Sequence, residues 1–204
     1  VKWDGAPAVV CGTNPDNGQF FVGTKAVFAK AAKINYTKKD IAKNHGTDEL
    51  GQKLLKCLVH LKKLNIPGVV QGDLLFIDDS ITRKNIDGKP HLTFTPNTIT
   101  YAVPEGGDLS KQIDRAKLGI IFHTTYTGDS LANMNAQGGA DVSSFAKSND
   151  VFFDNASYKD VSGSAKFTAD ESQQFYNSID KLETLLNSVP RDLSSVLGQN
   201  TDFV

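Results

Sequence analysis

Four stretches of this sequence carry side chains that could do chemistry together. They are Lys2-Trp3-Asp4-Gly5, Gly23-Thr24-Lys25, Gln71-Gly72-Asp73-Leu74, and Tyr101 within residues 98–103 (TITYAV). A lysine amine is a nucleophile once it has lost its proton. From an ordinary pKa of about 10.4, that loss costs roughly 4.6 kcal/mol at pH 7. Neighbouring cations and desolvation lower the cost. Asp73 belongs to the only polar interval of an otherwise apolar run, GVVQGDLLFI at 68–77. A carboxylate buried there is expensive unless it finds a partner. Each stretch also has a plain structural reading: Asp-Gly is a common turn pair, Lys25 a solvated lysine, Asp73 a strand-end acid, Tyr101 a core tyrosine.

The surrounding pattern says what must position these groups. Residues 8–13 (AVVCGT) and 19–25 (QFFVGTK) flank Asn14-Pro15-Asp16-Asn17-Gly18 and read as a β-hairpin, which brings Lys25 back toward Lys2. Thr37 caps a short helix that stops at Gly46, and Thr47 caps a longer one. The longer helix turns Leu50, Leu54, Leu55, Leu58 and Leu61 to one side and Lys53, Lys56, Lys62 and Lys63 to the other. Residues 68–77 form a buried strand. Asp87-Gly88 closes a second hairpin between 81–86 and 91–95, and 98–103 adds a strand. A helix that starts at Asp108 or Ser110 and runs through Lys117 follows, then a strand over 118–126. Residues 128–149 lack periodicity and read as a loop or insertion, and 151–157 read as a last strand. Thr168-Ala169-Asp170-Glu171 is a capping box for a helix with Phe175, Ile179, Leu182, Leu185 and Leu186 inward. Pro190 ends that helix, and a short one over 192–197 follows. The fold class is α+β, a mostly antiparallel sheet with interleaved helices and a helical C-terminal tail.

The chain has 204 residues, 39% hydrophobic and 22% charged, enough for one sizeable core. Its formal net charge of −1 removes the usual electrostatic signature of a nucleic-acid binder. Only the region from Lys25 to Lys63 is locally basic. Two cysteines, Cys11 and Cys57, are too few for a disulfide framework and lie in apolar patterns, so both read as buried thiols. The histidines His45, His60, His91 and His123 lack metal-ligand spacing; His123, in FHTTYTG, is the most site-like. Asp78-Asp79 reads as a solvated turn before it reads as a cation site. No signal peptide or membrane-spanning run is visible, so a cytoplasmic setting is the default expectation.

In this order the motifs resemble those of the covalent nucleotidyltransferases, the RNA and DNA ligases in particular. KWDG at 2–5 is similar to that superfamily's motif I, GTK at 23–25 to its Ser/Thr-Arg/Lys step, GDLLF at 72–76 to motif III, and TITYAV to motif IIIa. The longer text, including PNTITYAVP and LGIIFHTTYTG, is similar to a group of uncharacterised proteins from large tailed phages. A phage origin would make the cytoplasm that of the host. The resemblance implies a ligase-type, ATP-grasp-like nucleotidyltransferase fold over residues 1–160, with 161–204 a helical extension or insertion. It further implies that Lys2 forms a lysyl–AMP phosphoramidate with release of pyrophosphate, and that Trp3, Asp4 and Gly5 border the nucleotide. Thr24 and Lys25 would contact the nucleotide or a phosphate. Asp73 would hold the ribose or a Mg²⁺-bound water, and Tyr101 would lie against the adenine. ATP is the implied nucleotide, with GTP as the alternative, and nucleic acid ends are the implied acceptors.

The sequence departs from the family in three places. Asp73 is one methylene shorter than the usual Glu, Ala102 stands where an acid often follows the motif IIIa aromatic, and the later Glu-Gly and Lys-x-Lys motifs are not found. Lys166 and Lys181 are isolated. The expectation is a chain cut short at both ends, or a diverged relative that binds nucleotide and labels itself weakly. The competing readings are a nucleotide-binding module without catalysis, and a phage structural or interaction domain in which KWDG is only a turn.

Overall fold

A computed structural model describes residues 4–156 and 167–188. Lys2 and Trp3, the boundary at 160–161 and the helix expected over 192–197 lie outside the described residues. The two described stretches belong to separate units, 1–158 and 159–204.

The first unit is α+β and largely antiparallel. Its main sheet contains β1 (Ala8–Thr13), β2 (Phe20–Gly23), β3 (Val69–Ile77), β7 (Leu118–Thr127) and β8 (Asn135–Gly138), in the order β2-β1-β3-β7-β8. A further strand, β9 (Val151–Asn155), pairs with β7 in parallel, beside the antiparallel β7–β8 pair. A smaller sheet joins β4 (Thr82–Ile86), β5 (Lys89–Phe94) and β6 (Tyr101–Pro104). Asp87 and Gly88 both take positive φ (51° and 76°) in the two-residue β4–β5 turn, as an Asp-Gly hairpin requires.

Helices α1 (Lys38–His45) and α2 (Glu49–Leu61) cover one face of the main sheet. Thr37 and Asp40 cap α1 reciprocally, which satisfies the Thr37 and Asp40 backbone donors. Asp48, not Thr47, caps α2, its Oδ1 accepting from the Gly51 N–H. Leu54, Cys57 and Leu61 of α2 are buried with Val9, Cys11, Leu74, Ile120 and Phe122 of the sheet. The opposite face carries two separate apolar clusters. One holds Leu75, Phe76, Leu92, Phe94 and Ile121 with Ile113 of α3 (Asp108–Arg115). The other holds Val10, Phe21, Val27, Val69 and Leu131.

Cys11 and Cys57 are fully buried free thiols. Burial raises both, Cys57 to about 12. A thiol reagent added to native protein is therefore expected to modify neither cysteine within minutes and both after denaturation. Rapid labelling of the native chain would show that the α2–sheet packing opens readily.

Three expectations are corrected. The stretch at 128–149 is not all loop: it contains β8 and a 3-10 turn at Leu131–Asn133. The strand expected to reach Lys25 stops at Gly23, because Thr24 Oγ1 accepts from the Ala26 N–H and turns the chain into a 3-10 helix, Lys25–Phe28. The strand expected from 98 starts at Tyr101 and lies in the small sheet, because the Thr98 and Ile99 amides are bonded to Asp4 instead of a neighbouring strand.

In the second unit, α4 (Ala169–Ser188) is opened by the expected capping box: Glu171 N–H donates to Thr168 Oγ1 and Thr168 N–H to Glu171 Oε2. Its apolar residues are not inward. Phe175, Ile179, Leu182, Leu185 and Leu186 are exposed. Periodicity identifies an apolar stripe but not what it faces. No helix among the described residues is long and apolar enough to cross a membrane.

Candidate functional site

The site is built on β3. Side chains alternate across a strand, so Val69, Gln71, Asp73 and Leu75 share the face turned away from α2. Val69 belongs to one apolar cluster on that face and Leu75 to the other. Gln71 and Asp73 therefore lie on that face between two apolar clusters. Gln71 is buried, and its Oε1 accepts from the Tyr126 hydroxyl at 2.7 Å. Burial pushes the Tyr126 phenol up from its ordinary value.

Asp73 finds its partner in His123, whose Nε2 lies 3.4 Å from Oδ1; the two side chains are 16% and 29% exposed. The contact depends on an irregularity in the ladder. Gln71 is registered with Thr124 and Gly72 with Phe122, so His123 is the extra residue of a β-bulge. Bulges re-aim side chains, and this one brings the imidazole to Asp73. His123 Nδ1 is in turn 2.8 Å from Thr124 Oγ1.

The segment before β1 closes one side. Ala6 N–H donates to Leu74 O and Leu74 N–H to Pro7 O, which extends the β1–β3 pairing toward the N-terminus. Gly5 then lies directly on Asp73. A Cβ at position 5 would overlap Asp73 Cβ and stand 3.0 Å from the Leu74 carbonyl oxygen. Asp4 reaches the small sheet: its N–H donates to the Tyr101 hydroxyl at 2.7 Å. Its carboxylate accepts from Asn97 Nδ2 at 3.0 Å and from the Thr98 and Ile99 N–H groups, both at 2.6 Å. The Tyr101 ring stacks on Phe94, centroids 5.4 Å apart.

The expected residues are thus distributed as follows. Asp4 contacts Tyr101 and Gly5 contacts Asp73, so the Asp4-Gly5 pair joins three distant parts of the chain. Lys2 and Trp3, immediately upstream, are outside the described residues. Thr24 serves as the cap described above. Lys25 is exposed on the same 3-10 turn, whose Val27 belongs to the apolar cluster with Val69, not to the one against which Tyr101 packs. Asp73 was the residue expected to carry Mg²⁺. Among the described residues no group of three His, Cys, Asp or Glu side chains gathers to hold a metal ion. One carboxylate still fits Mg²⁺, which keeps waters and takes most other ligands from phosphates. Gln71, Tyr126 and the Asp73–His123 contact were missed as site features. The signal for Gln71 was present, since the alternate positions 69, 71, 73 and 75 read Val-Gln-Asp-Leu.

The lysine face expected on α2 and the 3-10 turn after it, Lys62–Leu64, is largely paired: three of its four lysines, all but Lys62, face carboxylates among the described residues. Lys53 pairs with Glu49 at 2.7 Å, Lys56 with Asp78 and Asp79 at 2.5 and 2.8 Å, and Lys63 with Asp150. Lys117 adds to Asp78 at 3.5 Å. Asp78-Asp79, read as a solvated turn, is therefore a lysine acceptor. Burial pushes Asp78 up, but the Lys56 hydrogen bond and the nearby cations outweigh it and hold the carboxyl below its ordinary range.

A family model described as "Family of unknown function (DUF6267)" matches residues 1–203. No curated protein and no solved structure matches the chain.

Proposed function

We propose that this chain, which belongs to the family of unknown function DUF6267, is a covalent nucleotidyltransferase of polynucleotide-ligase type with Lys2 as its nucleophile. The observation that supports this reading is the double contact of Asp4-Gly5. One residue binds Tyr101, the other lies on Asp73, and the lysine two positions upstream is tethered to both. In the proposed step the neutral Lys2 amine attacks the α-phosphorus of ATP. An N–P bond forms, the bond to the bridging oxygen breaks, and pyrophosphate leaves with its electron pair. The lysine proton passes to solvent. Asp73, oriented by His123, holds a ribose hydroxyl or a metal-bound water, and Tyr101 borders the base. Mg²⁺, where bound, supplies charge neutralisation on the triphosphate. Thr24 and Lys25 contact the nucleotide or a phosphate in this reading. Nucleic acid ends are the acceptors in this reading, and the ligase-type fold is part of the same proposal.

A second reading is favoured by Asp4 itself. Its carboxylate is occupied in holding residues 97–99, so Asp-Gly is explained by structure without chemistry. Incubation with α-labelled ATP and Mg²⁺ separates the two. The enzyme reading expects slow covalent labelling that Lys2→Ala abolishes and acid releases, as from a phosphoramidate. No label across neutral to alkaline pH, or label that survives Lys2→Ala, would leave KWDG as a structural turn.

A further inference from the structure

A cleft of about 580 Å³ opens beside β9, away from the Asp4–Asp73 cluster. Pockets for one small ligand run to about 300–1,000 Å³. Phe145 and Phe153, ring centroids 6.0 Å apart, supply its apolar wall, Phe152 borders it from the other face of β9, and Arg115 and Lys147 supply positive charge. The amides of Gln112 and Asn149 supply donors and acceptors. No carboxylate is among the lining residues. Four acids lie one position from a lining residue: Asp114 is paired with Arg83, Asp141 accepts from the Ser143 N–H, Asp150 is engaged by Lys63 and His60, and Asp154 lies further along β9, opposite Ile121. Arg115 and Lys147 are exposed and form no ion pair among the described residues, whereas Lys53, Lys56, Lys63 and Lys117 each face a carboxylate. Two unmatched cations beside an aromatic wall are a combination that the α2 face lacks.

We propose that this cleft is a second ligand site, for a planar aromatic anion of nucleoside-phosphate size. The ring lies against the phenylalanine wall, where any base can stack. Gln112 and Asn149 meet the base edge, since an amide both donates and accepts. Arg115 and Lys147 hold the phosphate, the guanidinium in a two-pronged grip. The site is distinct from the one at Asp73. Register runs Asp73–Ile121–Asp154 across β3, β7 and β9, so the β9 wall stands two strands over, about 10 Å at the usual strand spacing. The chemistry is the same for a free nucleotide and for a unit of a single strand.

The test uses the full chain carrying Lys2→Ala, so that binding is read without covalent labelling and independently of the lysine chemistry. AMP is titrated by calorimetry, and a short fluorescein-labelled single-stranded oligonucleotide by anisotropy. At least one is expected to bind, and Arg115→Gln with Lys147→Gln to weaken it about tenfold or more. The melting temperature should be unchanged, because both side chains are exposed. Strand binding that AMP displaces only weakly assigns the strand as occupant, and AMP binding as tight as the strand's assigns the free nucleotide. The proposal is overturned if neither probe binds, if the double variant binds as well as its parent, or if inorganic phosphate competes as effectively as AMP.

Discussion

Asp4→Ala is expected to lower stability by about 2–3 kcal/mol and to free residues 97–99 from the segment that precedes β1. The carboxylate accepts three hydrogen bonds, two from backbone amides at 2.6 Å and one from Asn97. A hydrogen bond to a charged group is worth roughly 1.5–3 kcal/mol when its partner is otherwise left unmet. The full sum does not apply, because Asn97, Thr98 and Ile99 are exposed and water can replace part of what is lost. Asp4→Asn keeps a single acceptor oxygen and should fall about midway. Tyr101→Phe removes the acceptor for the Asp4 N–H and should cost about 1 kcal/mol or more. Urea unfolding gives the three values. Hydrogen exchange at Thr98 and Ile99 gives the local effect, with both amides expected to lose protection in Asp4→Ala. A wild-type urea midpoint for Asp4→Ala, with both amides still protected, would show that the contact does not hold the loop. If Lys2 is the nucleophile, the same variant should lose labelling beyond what its stability loss explains, since Tyr101 and the N-terminal segment part together.

The sequence made this fold legible wherever a local rule decided the structure. The Asp87-Gly88 hairpin, the Thr37 cap and the α2 leucines follow from turn chemistry and period. Asp73 was legible as a carboxylate needing a partner. The partner was not, because His123 reaches it through a bulge that no pattern in LGIIFHTTY announces. Asp4 shows a second limit. Its contacts span more than ninety positions, and they decide where β6 begins by taking amides that strand propensity would have placed in a ladder. The α2 lysines show a third, since their carboxylate partners at 78, 79 and 150 come from distant elements. In each case the missing information was tertiary, a partner far away in the chain.

The other large effect is expected at Gly12, and it tests the register on which the site depends. Gly12 has φ of +138°, a conformation that residues with a Cβ rarely adopt, and sits in β1 between β2 and β3. An added Cβ would overlap the Gly68 carbonyl oxygen and stand 2.9 Å from its carbon and 3.1 Å from Val69 Cα. These are backbone atoms, so no rotamer change relieves the clash. The adjacent Thr13 N–H donates to that same Gly68 oxygen, so a shift of either chain breaks a ladder bond at the same time. Gly12→Ala should therefore cost about 3–5 kcal/mol, the range of severe backbone strain added to overpacking in a core. Two other glycines calibrate the value. Gly18 has φ of +70° but open space, so Gly18→Ala should cost about 1 kcal/mol. Gly68 has open space and no positive φ, so Gly68→Ala should be neutral or slightly stabilising, by up to about 1 kcal/mol. A Gly12→Ala protein with the wild-type urea midpoint would mean that β1 does not pair with β3 as described. The consequence would reach the site, because the pairing that sets Gly12 opposite Val69 also sets Ala8 opposite Asp73 and lays Gly5 on its side chain. Shift β1 by one residue and its side chains exchange faces. Asp73 would then lose the contact that places it beside Asp4, Tyr101 and the segment bearing Lys2.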